Sequence, residues 1–165
     1  MYYEVYEAAQ SNNIPVKPLY AGDVLKFGDT VFNVLLPYEE MLEEEYINDT
    51  SIVLSVTAGD VNFLLLGDIE TYGMKTLLDN YYLAATDVIK ANHHGEYNDY
   101  TLRLYDEADP DICVICVANN SYGLPKDEFY DVLYETDTQF FTTMDNGLIT
   151  FIVDDGEYKV DTYKN

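Results

Sequence analysis

Phe63-Leu64-Leu65-Leu66-Gly67-Asp68 is a run of four apolar residues that ends in a glycine and an acid. A short apolar run closed by a turn signal reads as a buried strand that delivers a carboxylate to its C-terminal end. A second β-rich run, Thr86 to Ala91, is followed at Asn92 by His93-His94-Gly95. In a parallel or mixed sheet the carboxyl ends of two such strands can lie side by side. An Asp meeting a His there is what a metal-dependent hydrolytic site needs.

The neighbouring stretches extend this pattern. Ser51 to Thr57 and Val61 to Leu66 are joined by Ala58-Gly59-Asp60 and read as a hairpin. Residues 70–80 carry Met74, Leu77 and Leu78 at helical spacing. Tyr100 to Glu107 predicts a short helix, and Ile112 to Val117 a buried strand. Pro125 is expected to open a further helix at its first position, with Asp127 and Glu128 in the first turn and Phe129, Val132 and Leu133 on the buried stripe. Residues 139–143, 148–153 and 157–162 read as strands, with Asp145-Asn146-Gly147 and Asp154-Asp155-Gly156 as turns.

Before the hairpin, residues 2–10 suit a helix with Val5, Ala8 and Ala9 on one side. Val16 to Tyr20, Val24 to Phe27 and Val31 to Leu36 predict strands. Residues 38–50 form an acidic loop with Glu39, Glu40, Glu43, Glu44 and Glu45, and a helical turn can form around Met41-Leu42. A solvated loop is the expectation, since consecutive glutamates do not make a calcium loop. Strands interleaved with helices after residue 61 indicate an α/β layered sandwich in one domain spanning 1–165.

Composition narrows the function classes. The chain has 165 residues, long enough to bury about 70% of its unfolded surface. It holds 8 basic against 31 acidic residues, a formal net charge of −23. Such a surface repels phosphate backbones and anionic membranes, so electrostatic capture of nucleic acid is not expected. A bound cation would invert the field locally and admit a phosphate. Tyrosine is abundant, at 17, and tryptophan absent; half-buried packing accounts for the tyrosines more simply than carbohydrate contact. No secretory signal and no spanning segment is expected.

The two cysteines lie in Ile112-Cys113-Val114-Ile115-Cys116-Val117. In a strand, odd spacing sends them to opposite faces. Their Cα atoms would stand roughly 10 Å apart, beyond disulfide reach. Inert core thiols are therefore expected, and cysteine usage sets no redox compartment.

Three places carry chemistry. Asp68 reads either as a turn or helix-capping residue or as a ligand. His93 and His94 are the chain's two histidines. Histidines are commonly structural, but a His-His-Gly run at a strand end favours function, because glycine admits close approach. Strand alternation points the pair in different directions, one toward a metal and the other toward substrate or a supporting shell. Asn119-Asn120-Ser121-Tyr122-Gly123-Leu124-Pro125 lies between a strand and a helix. It reads as an ordinary turn, or as an anion site built from backbone amides.

Taken together, Asn48-Asp49-Thr50-Ser51-Ile52-Val53-Leu54, Leu64-Leu65-Leu66-Gly67-Asp68-Ile69-Glu70, Ala85-Thr86-Asp87-Val88-Ile89-Lys90 and His93-His94-Gly95 resemble, in order and spacing, the metallo-β-lactamase-fold hydrolases. The subgroup is the hydrolase domain of ComEC-type DNA-uptake competence proteins and related phosphodiesterases. Ala108-Asp109-Pro110-Asp111, Asn120 to Pro125, and Thr143-Met144-Asp145-Asn146-Gly147-Leu148-Ile149 extend the likeness, which runs from about residue 15 to the end. The resemblance implies an αββα sandwich around a binuclear zinc or manganese site and metal-hydroxide attack on a phosphodiester or similar bond. It makes Asp68 a bridging carboxylate and His94 a ligand of the second metal. His93 would contact substrate or support the shell, and Asn120 and Tyr122 fall in the substrate-side loop.

The departures from that pattern bear on activity. The family's His-x-His-x-Asp-His motif has no counterpart here, nor has its later single histidine. Two histidines cannot complete either metal centre. The family's Tyr-Gly-His-Pro reads Tyr122-Gly123-Leu124-Pro125, and leucine cannot replace an imidazole. The expectation is the C-terminal portion of such a domain, with little activity and weak or no stoichiometric metal by itself. Its partners would be a missing N-terminal half or a second copy, since large apolar patches rarely stay exposed. The alternatives are a non-catalytic acidic module that binds a basic partner, and simple cation binding by acidic loops.

Overall fold

A computed structural model describes residues 2–43, 47–83 and 86–164. Glu44, Glu45 and Ala85, which figured in the acidic loop and the likeness above, lie outside the described residues. The chain forms a mixed α/β fold. Helix α1 (Tyr2–Ser11) precedes strands β1 (Val24–Phe27), β2 (Thr30–Leu36), β3 (Val53–Ala58) and β4 (Val61–Leu65). Helix α2 (Thr71–Asn80), strand β5 (Val88–Lys90), α3 (Thr101–Ala108), β6 (Ile112–Ile115), α4 (Asp127–Glu135) and β7 (Gln139–Thr142) then alternate. The one-turn helix α5 (Thr143–Asn146) leads into β8 (Leu148–Asp154) and β9 (Glu157–Tyr163).

Seven strands form one sheet in the order β1-β2-β3-β4-β5-β6-β7. The first three pairings are antiparallel and the last three parallel. Strand order therefore advances one step at a time across the sheet. Parallel steps need crossover connections, and crossovers that share one hand and one direction deposit their helices on one face. Helices α2, α3 and α4 pack side by side accordingly.

Sequence pattern explains what lies under them. Leu64, Ile89 and Cys113 are in register across β4, β5 and β6. They share one apolar cluster with Leu77 of α2, Leu104 and Tyr105 of α3, and Phe129 and Leu133 of α4. Tyr105 meets Phe129 edge to face at 5.5 Å. Each fully buried aliphatic side chain here contributes about 1.5–3 kcal/mol. On the opposite face the β8-β9 hairpin packs against the sheet through Phe151 and Phe63, whose rings meet edge to face at 5.7 Å.

Several expectations are corrected. Val16 to Tyr20 forms no strand. Pro15 precedes it and Pro18 lies within it, and each removes a donor that a ladder requires. Helix α1 forms where residues 2–10 are expected to be helical, and Val5 and Ala8 are exposed on it. Pro125 stands outside α4, which begins at Asp127. Lys126 remains extended there, its backbone N–H donating to the Gly95 carbonyl at 3.0 Å. Asp145 and Asn146 belong to α5 rather than to a hairpin turn, and the Asp145 N–H is capped by the Thr142 hydroxyl at 2.9 Å. The acidic loop is not wholly solvated: Met41 and Asp49 are buried within its two 3-10 turns, Glu39–Glu43 and Ile47–Thr50.

Candidate functional site

The carboxyl ends of β4, β5, β6 and β7 converge along one edge of the sheet. Parallel sheets commonly bind ligands there, because connecting loops rather than strands line that edge. Asp68 follows β4, His93 and His94 follow β5, Cys116 to Asn120 follow β6, and Thr143 follows β7.

His94 is oriented from both sides. Its Nδ1 lies 2.7 Å from the Cys116 carbonyl oxygen. A carbonyl only accepts, so Nδ1 carries the proton, and in the neutral ring Nε2 keeps its lone pair. Nε2 lies 3.7 Å from Asp68 Oδ2. A ring nitrogen fixed through its far side by a carbonyl is the arrangement metal-ligating histidines use. The other oxygen of Asp68 is 3.7 Å from Lys90 Nζ, which also donates to the carbonyls of Gly67 and Ala91 at 2.9 Å each.

His93 turns the other way, because both histidines lie in a left-handed turn beyond the end of β5, not because of strand alternation. Its Nδ1 is 2.5 Å from Glu96 Oε2 and 3.1 Å from Glu70 Oε1. Glu70, His93 and Glu96 each offer one ligand atom, all within 4.8 Å of one another, and could hold a metal ion. Sequence reasoning missed both glutamates. The available signals were the spacing of Glu96, three residues beyond His93, and the position of Glu70, two beyond Asp68.

The turn that separates the two rings is strained. His93 has φ 33° and His94 φ 60°, in the left-handed region that non-glycine residues rarely occupy. Such positions cost about 1–3 kcal/mol each and cluster at functional sites. Gly95 closes the turn at φ 88°, where a Cβ would stand 2.7 Å from Pro125 Cβ. Buried Asn92 ties the turn together, its amide nitrogen donating to the Glu96 carbonyl at 3.3 Å and reaching the Ile69 carbonyl at 3.5 Å.

Asn48 to Ser51 brace the opposite side. Asn48 Nδ2 donates to Glu70 Oε1 at 2.8 Å. Asp49 Oδ1 accepts from the backbone nitrogens of Glu70 and Gly73 at 2.6 and 2.8 Å. Ser51 Oγ accepts from the Asp68 nitrogen at 3.1 Å. Asn48, Asp49 and Ser51 thus hold the segment that carries Asp68 and Glu70.

A cleft of about 360 Å³ opens beside His94, lined by Cys116, Val117, Asn120, Tyr122, Leu124 and Thr143 among others. Tyr122 is exposed on its rim. The Asn120 side chain organises the loop itself: Oδ1 accepts from the nitrogens of Tyr122 and Leu124, and Nδ2 donates to the carbonyls of Ala118 and Leu124. The cysteines are both free. Cys113 is buried with its thiol pushed up to about 12, chiefly by burial. Cys116 departs from the expected core thiol, lying half-buried on the cleft.

Asp68 and His94 fit part of the metal centre that the resemblance implies. They supply two donors, whereas a catalytic zinc takes three protein ligands. No catalytic step therefore follows from this chain's Asp68 and His94 alone.

No protein-family model matches the chain. It is similar to ComE operon protein 3 of Bacillus subtilis (strain 168), 27% identical over 149 residues, which is 90% of this chain and 19% of the relative. The chain spans about a fifth of the length of the curated relative it matches. No helix among the described residues is long and apolar enough to cross a membrane.

Proposed function

We propose that this chain is the C-terminal portion of a metallo-β-lactamase-fold, metal-dependent phosphodiesterase, and that it awaits ligands supplied by further polypeptide. The observation that carries the proposal is the orientation of His94. With Nδ1 committed to the Cys116 carbonyl, Nε2 presents its lone pair beside Asp68 Oδ2. Two donors converge at the carboxyl edge of a parallel sheet, and the donors that would complete a zinc or manganese centre come from elsewhere. The sheet face opposite the helices supports the same conclusion. Leu54, Leu65, Val114 and Phe141 lie in one register row, interrupted by Lys90 between Leu65 and Val114, and are only half-buried, as expected of a face that further chain would cover. Asp68 and His94 would hold the metal, His93 would contact substrate or support the shell, and Asn120 and Tyr122 would shape the substrate side. A metal bound there would supply a hydroxide nucleophile.

The test is complementation. The full chain is mixed with, or fused to, a polypeptide carrying a His-x-His-x-Asp-His motif from the relative, and assayed on a chromogenic phosphodiester with added Mn²⁺ or Zn²⁺. Activity that appears only in the combination, and that Asp68→Asn and His94→Ala each abolish, is the expected result. Equal activity in those variants would overturn the proposal.

A second reading, an acidic interaction module, is favoured by one groove. Asp99, Asp106, Asp109, Glu135 and Asp137 line it together with Arg103. Titration with a lysine-rich peptide should give binding that falls with salt and is lost on charge reversal at Asp106 and Asp137. Indifference to those changes would remove this reading.

A further inference from the structure

We propose that Glu70, His93 and Glu96 form a cation site of their own, separate from the Asp68–His94 pair and taking a first-row divalent metal such as Zn²⁺, Mn²⁺ or Co²⁺. The proposal does not rest on hydrolase function.

Geometry is the first support. One nitrogen and two carboxylate oxygens from three side chains lie within 4.8 Å of one another. Ligands held at roughly 2.1 Å from one ion stand about 3 Å apart, and His93 Nδ1 lies 2.5 and 3.1 Å from its two oxygens. A small shift of Glu96 outward would seat an ion between them. The donor set is one imidazole and two carboxylates, which suits borderline first-row metals better than calcium.

Unsatisfied hydrogen-bonding capacity in the buried turn is the second support. His93 Nδ1 and Glu96 Oε2 are screened from water, and neither makes a hydrogen bond of acceptable geometry despite their proximity. Asn92, fully buried in the same turn, also leaves its Oδ1 without a partner. Buried polar atoms are nearly always satisfied, so an unpartnered amide oxygen beside a crowded, poorly aligned imidazole–carboxylate contact points to a missing electropositive partner. The carboxylates are also pre-set. Glu70 is oriented by the Asn48 amide, and its backbone is held by Asp49. Glu96 follows a turn closed by the hydrogen bond from the Gly95 nitrogen to the Asn92 carbonyl at 2.8 Å. Preorganised ligands need little rearrangement to bind.

Nδ1 of His93 faces this cluster, whereas His94 offers Nε2 to Asp68 on the other side of the turn. The two sites therefore use different rings, and a spectroscopic readout separates them. The ¹⁵N-labelled full chain, freed of metal and kept in moderate salt to screen diffuse binding, is titrated with Zn²⁺ while the imidazole nitrogens are followed by NMR. His94→Ala assigns the two rings. The expected result is a shift of the His93 Nδ1 resonance to a metal-bound value. Glu96→Gln should weaken half-saturation about tenfold or more, and Asp68→Asn should leave it unchanged. Glu70→Gln provides the same reading should Glu96→Gln fail to fold. A response confined to His94 and lost in Asp68→Asn would overturn this site while leaving the phosphodiesterase proposal standing. An unresponsive His93 at millimolar Zn²⁺ would overturn it as well.

Discussion

Asp49 Oδ1 accepts a hydrogen bond from the backbone nitrogen of Gly73 at 2.8 Å, across 24 positions of chain. The same oxygen takes the Glu70 nitrogen at 2.6 Å. Helix α2 thus has its first free amides satisfied by a carboxylate from another segment, where a negative charge also complements the helix dipole. This contact fixes Glu70, and through Ile69 and Asp68 the whole strand end, relative to the histidine turn.

Gly73→Ala should destabilise the protein although alanine is the better helix former. Propensity alone would favour alanine by about 1 kcal/mol. A Cβ at this position would lie 2.7 Å from Asp49 Oδ1 and 2.8 Å from Ile69 Cβ, and overpacking of this kind costs about 1–3 kcal/mol. A lower urea midpoint with an unchanged slope is the expected observation.

Asp49→Ala should cost about 3 kcal/mol, because it strands two backbone donors, the Gly73 one buried. Asp49→Asn retains an acceptor oxygen and should lose roughly half as much. Urea unfolding of the two variants checks the order. Equal losses would show that charge rather than hydrogen bonding carries the effect.

Thiol chemistry should divide the cysteines. Burial raises the Cys113 thiol from 9.0 to about 12 and the neighbouring Tyr105 hydroxyl well above its ordinary value. Cys116 borders the cleft. A disulfide exchange reagent at pH 8 should label Cys116 in the folded chain and reach Cys113 only on unfolding. Both raised groups are neutral in the folded state. Their contribution to stability is complete below about pH 9 and is lost as pH rises toward 12, so the melting temperature should fall across that window.

Phe151→Ala should loosen the β8-β9 hairpin before the rest of the fold. Phe151 stacks edge to face on Phe63 and lies 5.9 Å from Tyr158. Losing two aromatic contacts and a half-buried ring should cost about 2 kcal/mol. Hydrogen exchange should quicken at amides of β8 and β9 while β4 to β6 stay protected.

Much of the site's address was legible along the chain. Apolar runs ending in Gly67-Asp68 and in Asn92-His93-His94 placed those residues at strand ends, but the divergence of the two rings comes from the left-handed turn after β5 rather than from strand alternation. The partners were not legible, since Glu70 and Glu96 reach His93 only through a left-handed turn that no periodicity announces. The Asn48 to Ser51 stretch stood out only by family likeness. Its side chains prove to be the hydrogen-bond acceptors and donors that brace the Asp68 segment. Val16 to Tyr20 carries strand-forming residues, but Pro15 and Pro18 withhold the donors a ladder needs, so no strand forms there.

The order of residues by itself determined the alternation of strands and helices, the acidic surface and the strand ends at which an Asp and two histidines appear. These follow from local properties: side-chain period, turn chemistry and charge. Tertiary structure alone decided that His94 faces Asp68 while His93 faces two glutamates, and that an aspartate in an acidic loop is buried as a helix cap. Those relations join residues far apart in the chain through parallel strand register and one strained turn. They arise only when the sheet closes and brings its carboxyl ends together.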